Sequence, residues 1–310
     1  MKNHTTSRLF LAVRATTFTL ILAIGLVSSA HADGFSLNGA TAYTVLYEGN
    51  GANQLSITNV TVNGNIGVAG TGTVAFSGPG TINGNLDFAA SNIGQFSNSN
   101  GMNVGPTSTN YNVGAVQTDM NYLNTLSSTV GAYAGTSVSI TGGGNGGNQT
   151  IDASSGNLVN GNEVFTVSGV NFVNGATLTI NGDGLGHNVI FNIGQSGDGQ
   201  FGGVIVLTGG LTSDDVLFNF TGGAGLTGGD SSQLNNNGEA VLTGTFLDPN
   251  GAISVVHTDL TGRVFGGDTT NMQIVSGDTI NTPTGAPEPG SMLLLGAGLS
   301  SMALWRRRRS

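Results

Sequence analysis

Cysteine is absent from the 310 residues, so no disulfide can hold this chain together in any compartment. Basic residues are almost as scarce. Of eight lysines and arginines, Lys2, Arg8 and Arg14 lie near the start, Arg306 to Arg309 near the end, and Arg263 alone lies between. Residues 33 to 286 carry 16 acidic side chains against that one arginine, a net charge of about −15. Nucleic-acid binding needs clustered cations against phosphates, so nucleic acid is excluded as a partner, and docking on anionic lipid fails for the same reason. Aromatics make up 6% of the chain, too few for rows of sugar-stacking rings.

Glycine supplies 53 residues, and asparagine, threonine and serine are abundant, a composition that also suits disorder. Valine, isoleucine, leucine and phenylalanine nevertheless recur throughout the middle in short alternating runs. That pattern predicts a folded, mainly β protein with many tight turns. Strands are expected at Leu55 to Val62, Val164 to Val167, Thr177 to Ile180, Val189 to Ile193, Val204 to Leu207, Val216 to Phe220 and Ile253 to Val256. Val62-Asn63-Gly64-Asn65-Ile66 returns as Ile82-Asn83-Gly84-Asn85-Leu86, and Leu242-Thr243-Gly244 as Leu260-Thr261-Gly262. Recurrence at about 18 to 20 residues matches one coil of a β-solenoid. A β-sandwich, with its own short strands and turns, is the alternative. One segment differs: Val116, Met120, Leu123, Leu126 and Val130 share a face at helical spacing, with Gln117, Asp119, Asn121 and Asn124 opposite and Asn112 as N-cap.

Both ends read as targeting segments. Lys2, Arg8 and Arg14 precede an apolar stretch from Ala15 to Val27, and Ala30-His31-Ala32 offers the small-x-small pattern of signal peptidase. Cleavage after Ala32 is expected, so residues 1–32 form a signal peptide with a helical apolar core. At the other end Pro287-Glu288-Pro289 precedes the apolar run Ser291 to Trp305, then Arg306, Arg307, Arg308 and Arg309. As a helix that run would be roughly 22 Å long, short for a hydrocarbon core of about 30 Å. It reads as a short transmembrane helix whose arginines stay cytoplasmic. The expected division is 1–32 signal peptide, 33–280 β-solenoid-like extracellular domain, and 281–310 linker and tail.

This tail resembles the PEP-CTERM sorting signal of Gram-negative bacteria. The resemblance implies processing by an exosortase-type enzyme near Pro287-Glu288-Pro289, with Glu288 and its prolines recognised and the four arginines holding the tail until cleavage. It implies transient inner-membrane insertion, then a cell-surface or extracellular life in a host that makes biofilm matrix. Exopolysaccharide is therefore a candidate partner, beside signal peptidase and the exosortase. The middle, from the Asn-Gly repeats through Ala176 to Gly194 and on to Leu242 to Gly267, resembles the choice-of-anchor A group and, more distantly, ice-binding-like domains. That likeness implies a right-handed β-helix with one flanking helix and carries over no catalytic site.

Sites of chemistry are sparse. His187 and His257 stand 70 residues apart, outside any paired-ligand spacing. No Gly-x-Ser-x-Gly elbow joins a strand to a helix. Asp214-Asp215 are adjacent, so in a strand they point to opposite sides and not into one groove. Asp183 and Asp198 sit in Gly-Asp-Gly corners, where aspartate caps its own turn. Such corners offer hard oxygen ligands of the kind calcium takes, but the period of a calcium-binding nonapeptide is missing. No catalytic residue, metal or cofactor is expected. Thr71/Thr73, Thr177/Thr179 and Thr243/Thr245 share a Thr-x-Thr spacing that could order water if stacked, but β-propensity alone also explains it. The expected function is that of a non-catalytic surface or matrix protein; a polysaccharide- or ice-binding module is the alternative.

Overall fold

A computed structural model describes residues 34–49, 53–92, 96–99, 102–104, 109–142, 147–173, 175–194, 199–221, 226–229, 240–267 and 271–283. All belong to one compact unit, 32–285. The signal peptide and the sorting tail thus lie outside the described residues.

The described chain winds into a β-solenoid with three faces, and every strand pair but Asn157–Val159 with Asn162–Phe172 is parallel. Gln54–Thr58, Thr61–Asn63 and Asn65–Val68 make one coil and lay one strand on each face in turn. The run from Leu55 to Val62, expected as one strand, is therefore two. Its break is Asn59, whose φ of 56° turns the corner. The Asn-Gly and Thr-Gly echoes mark another corner. A Cβ at Gly84 would lie 2.2 Å from the Gly64 carbonyl oxygen, and one at Gly262 1.9 Å from that of Gly244. Stacked corners approach so closely that only glycine fits.

Coil order is not chain order. Tyr43–Tyr47 is flanked by Asn65–Val68 on one side and by the end of Thr258–Gly266 on the other. Coils up to Thr109–Asn110 build outward from Tyr43–Tyr47 in one direction. The chain then passes through helix α1 (Gly114–Gly131) and resumes at Thr136–Gly142, the far end of the stack. Successive coils return from there until Val264 pairs with Val45. The helix is about 27 Å long, enough to run past about six strands at 4.7–4.9 Å spacing.

Face composition explains why the helix lies where it does. On the strands Tyr43–Tyr47 and Val216–Phe220 every residue is buried, because both sides of this sheet are covered. Phe165, Phe191, Phe218 and Phe246 point inward and stack in register, with centroids 5.2, 5.2 and 4.7 Å apart. Leu46, Ile190, Leu217, Leu247 and Phe265 point outward against Val116, Met120, Leu123, Leu126 and Val130, the apolar stripe expected of the helix. Its N-cap is Val113 and not Asn112, which adopts a left-handed φ of 62° one residue earlier. The C-terminal turn is held by side chains: Asn192 Nδ2 donates to the Val130 carbonyl at 2.7 Å, and Ser127 and Asn219 exchange two hydrogen bonds.

Candidate binding face and a corner cluster

The two uncovered faces alternate, apolar inward and mostly polar outward. The richer in threonine contains Gly80–Ile82, Thr61–Asn63, Thr279–Asn281 and the first halves of Thr258–Gly266 and Ala240–Asp248. In three adjacent coils the same Thr-x-Asn pattern recurs, Thr81-Ile82-Asn83, Thr61-Val62-Asn63 and Thr279-Ile280-Asn281. The central residue is fully buried each time, so the flanking pair must face out. Thr81, Thr61 and Thr279 therefore form one row and Asn83, Asn63 and Asn281 the next. Asn83 Nδ2 donates to Asn63 Oδ1, and Asn63 Nδ2 to Asn281 Oδ1, both at 2.7 Å. The asparagine row continues as Thr261 and Thr243.

Further along, Thr150, Thr179 and Val206 share a row, and Asn181 bonds Asp152 at 3.0 Å and Thr208 at 3.1 Å. Exposed Val206 (38%) and Val241 (40%) add methyl surface. The result is a lattice of hydroxyl, amide and methyl groups with about 4.8 Å between neighbours within a row, from strand to strand, and about 6.7 Å between rows, along each strand. Its strand residues include two acids, Asp152 and Asp259, and no cation.

The Thr-x-Thr pairs behave differently from one another. Thr177 and Thr179 lie on this face; Thr243 does too, but Thr245 is buried on the helix-covered sheet, and Thr71 and Thr73 lie at and beyond a corner to another face. The sequence signal for the rows is Thr-x-Asn.

At a corner between this face and the helix-covered sheet, Glu163, Asp183 and His187 place one oxygen or nitrogen atom each within 4.8 Å of the others. Asp183 and His187 come from one glycine-rich turn, Glu163 from the neighbouring coil. His187 Nδ1 is hydrogen-bonded to Asp183 Oδ2 and lies 3.6 Å from Glu163 Oε1. Asp183 Oδ1 also accepts from the Leu185 amide at 2.8 Å, the turn-capping role expected of it. Burial pushes the Glu163 carboxyl up; the His187 ring opposes that push and the Asp183 charge adds to it. Burial also pushes on Asp183, but hydrogen bonds from Leu185 and His187 outweigh it and hold that carboxyl below its ordinary value.

Arg263, Asp214 and Asp215 serve the fold. Arg263 is buried, ion-paired with Asp214 and bonded through Nη2 to the Thr41 carbonyl at 3.3 Å. Asp215 caps Thr212, accepting from its amide and hydroxyl at 2.7 Å. His257 is a corner residue with φ 50°, far in sequence from His187. Asp198, Ala30, Ala32, Pro287, Glu288, Pro289 and Arg306 to Arg309 lie outside the described residues.

Residues 286–309 match the PEP-CTERM protein-sorting motif. That motif implies export and a surface or extracellular location. No curated protein matches the chain. Among solved structures, an ice-binding protein from an Antarctic bacterium of the Flavobacteriaceae is similar at 17% identity and TM-score 0.53, over 81% of this chain and 48% of that one. An antifreeze ice-binding protein from an Arctic yeast aligns at 16% identity and TM-score 0.49, over 83% and 97%. The Shewanella frigidimarina ice-binding protein 1 domain aligns at 13% and 0.46, over 81% and 98%. Among the described residues no helix is long and apolar enough to cross a membrane. The chain joins a PEP-CTERM sorting motif to a mainly β passenger with one helix, similar in fold to ice-binding proteins.

Proposed function

We propose that this is a non-catalytic exported protein, released from its signal peptide after Ala32, held briefly in the inner membrane by its apolar tail, and processed by an exosortase-type enzyme at Pro287-Glu288-Pro289. Residues 33–280 are the passenger and 281–310 the linker and tail. The coils wind right-handed, the sense that parallel-strand crossovers take in about 98% of cases. The sorting motif carries this reading. Replacing Pro287, Glu288 and Pro289 together by alanine should leave uncleaved protein in the membrane fraction. Release of that variant at the normal rate would overturn it.

The task at the surface is binding through the Thr/Asn face. Its regular rows suit a repetitive ligand rather than a small molecule, and two such ligands are chemically reasonable: exopolysaccharide and ice. The stacked threonine rows favour ice, because hydroxyls and methyls at fixed spacing can hold an ordered water layer. Thermal hysteresis by the mature protein is the expected result. If hysteresis is absent while the protein co-purifies with exopolysaccharide, the polysaccharide reading stands in its place.

A further inference from the structure

We propose that Glu163, Asp183 and His187 bind one divalent cation of the borderline transition type, with Zn2+ the best-suited ion. The argument begins with a shortage of donors. Two carboxylates converge on one imidazole nitrogen, and Nδ1 carries at most one proton. Asp183 takes that hydrogen bond. Glu163, its side chain 8% exposed, accepts no hydrogen bond among the described residues and has only the ring nitrogen at 3.6 Å. A carboxylate with little solvent contact and no protein donor is poorly compensated, and a cation at the common focus would satisfy all three groups at once.

Geometry and donor set agree with this. Tetrahedral zinc with bonds of about 2.0–2.2 Å needs ligand atoms roughly 3.4 Å apart, close to the Glu163–His187 separation, whereas Asp183 and His187 are in hydrogen-bond contact and must part to admit the ion. One imidazole with two carboxylates suits zinc or a neighbouring transition ion; calcium prefers six to eight oxygens. The carboxylates balance the ionic charge. Access is open as well, because the His187 side chain is 14% exposed while those of Asp183 and Glu163 are 5% and 8% exposed. Binding would exchange the Nδ1 proton for the metal and tie two adjacent coils at one corner.

The test uses the full chain, stripped with chelator and titrated with Zn2+, Mn2+ and Ca2+ in separate calorimetric runs, beside Glu163→Gln and His187→Gln. The expected result is one Zn2+ per chain and a thermal midpoint that climbs with zinc concentration. Changes to groups that merely support a metal ligand cost about 10–100-fold in affinity, so loss of either ligand should cost at least about that. Glu163→Gln keeps side-chain shape, so its metal-free midpoint should match or exceed that of the parent, which separates lost binding from lost fold. Absence of zinc binding, zinc binding that both variants retain, or preference for Ca2+ would each overturn the proposal.

Discussion

Asn63 Nδ2 donates to the side-chain Oδ1 of Asn281 at 2.7 Å, although 218 residues separate them. The bond crosses the seam where the last described coil meets the first coils. It also continues the outward asparagine row across that seam, beside the backbone pairings that join the two sets of coils there.

Asn63 stands in the middle of its row and Asn83 at one side, which sets their relative worth. Asn63→Ala removes two side-chain bonds and Asn83→Ala one. At about 1 kcal/mol net per bond, urea midpoints should fall about twice as far for the first variant. Equal losses would mean that the row contributes nothing across the seam.

The face can be tested without unfolding the protein. Thr61→Tyr and Thr279→Tyr place bulk in the threonine row, where alternation points the side chain outward. Both should abolish thermal hysteresis or polysaccharide retention while leaving circular dichroism unchanged. Thr118→Tyr, at an exposed site on the helix, should preserve binding. Equal effects at all three sites would remove the assignment of the face.

Phe191 lies between Phe165 and Phe218 in the inward stack and is fully buried. Phe191→Ala should cost about 3–5 kcal/mol, read from equilibrium denaturation. A loss near that of a surface substitution would mean that neighbouring coils collapse into the gap.

Two glycines with left-handed backbone separate crowding from conformational strain. At Gly262 (φ 147°) an added Cβ would lie 1.9 Å from the Gly244 carbonyl oxygen, whereas at Gly210 (φ 90°) it meets nothing within 4 Å. Gly210→Ala should cost only the backbone penalty, about 1–3 kcal/mol. Gly262→Ala should lower the soluble yield or thermal midpoint far more, because the obstacle is backbone that cannot move aside.

Burial raises the Asp119 carboxyl above its ordinary value of 3.8. An acid whose pKa is raised by folding contributes stability below its unfolded value and loses that contribution as pH climbs through the folded one. Asp119→Asn should therefore raise the thermal midpoint at pH 7, with the advantage vanishing as pH falls below about 4. A gain that persists at pH 3 would point to packing instead of charge.

Much of the architecture was legible because it is local. The expected strands Val216 to Phe220 and Ile253 to Val256 form with those bounds, and the helix buries the stripe from Val116 to Val130. The 20- and 18-residue echoes became neighbouring coils in register, Val62 beside Ile82 and Leu242 beside Leu260. Coil length elsewhere departs from that period, as in the separation of 27 between Asn192 and Asn219, so a fixed-period search captures only part of the stack. The break at Asn59 is marked by a slip of phase, because the inward residues are Leu55, Ile57, Val60 and Val62 and the step across the corner is three residues, not two.

Alternation, turn chemistry and helical periodicity are written in consecutive residues, and they determined a mainly β chain with one amphipathic helix. The order of parts in the C-terminal tail likewise determined the sorting motif. Tertiary structure alone decided that the first strand lies between coils from opposite ends of the chain. It alone set Thr279 beside Thr61 and brought Glu163 to Asp183 and His187. Those relationships depend on which coil stacks on which, and helix α1 decides that by carrying the chain from one end of the solenoid to the other.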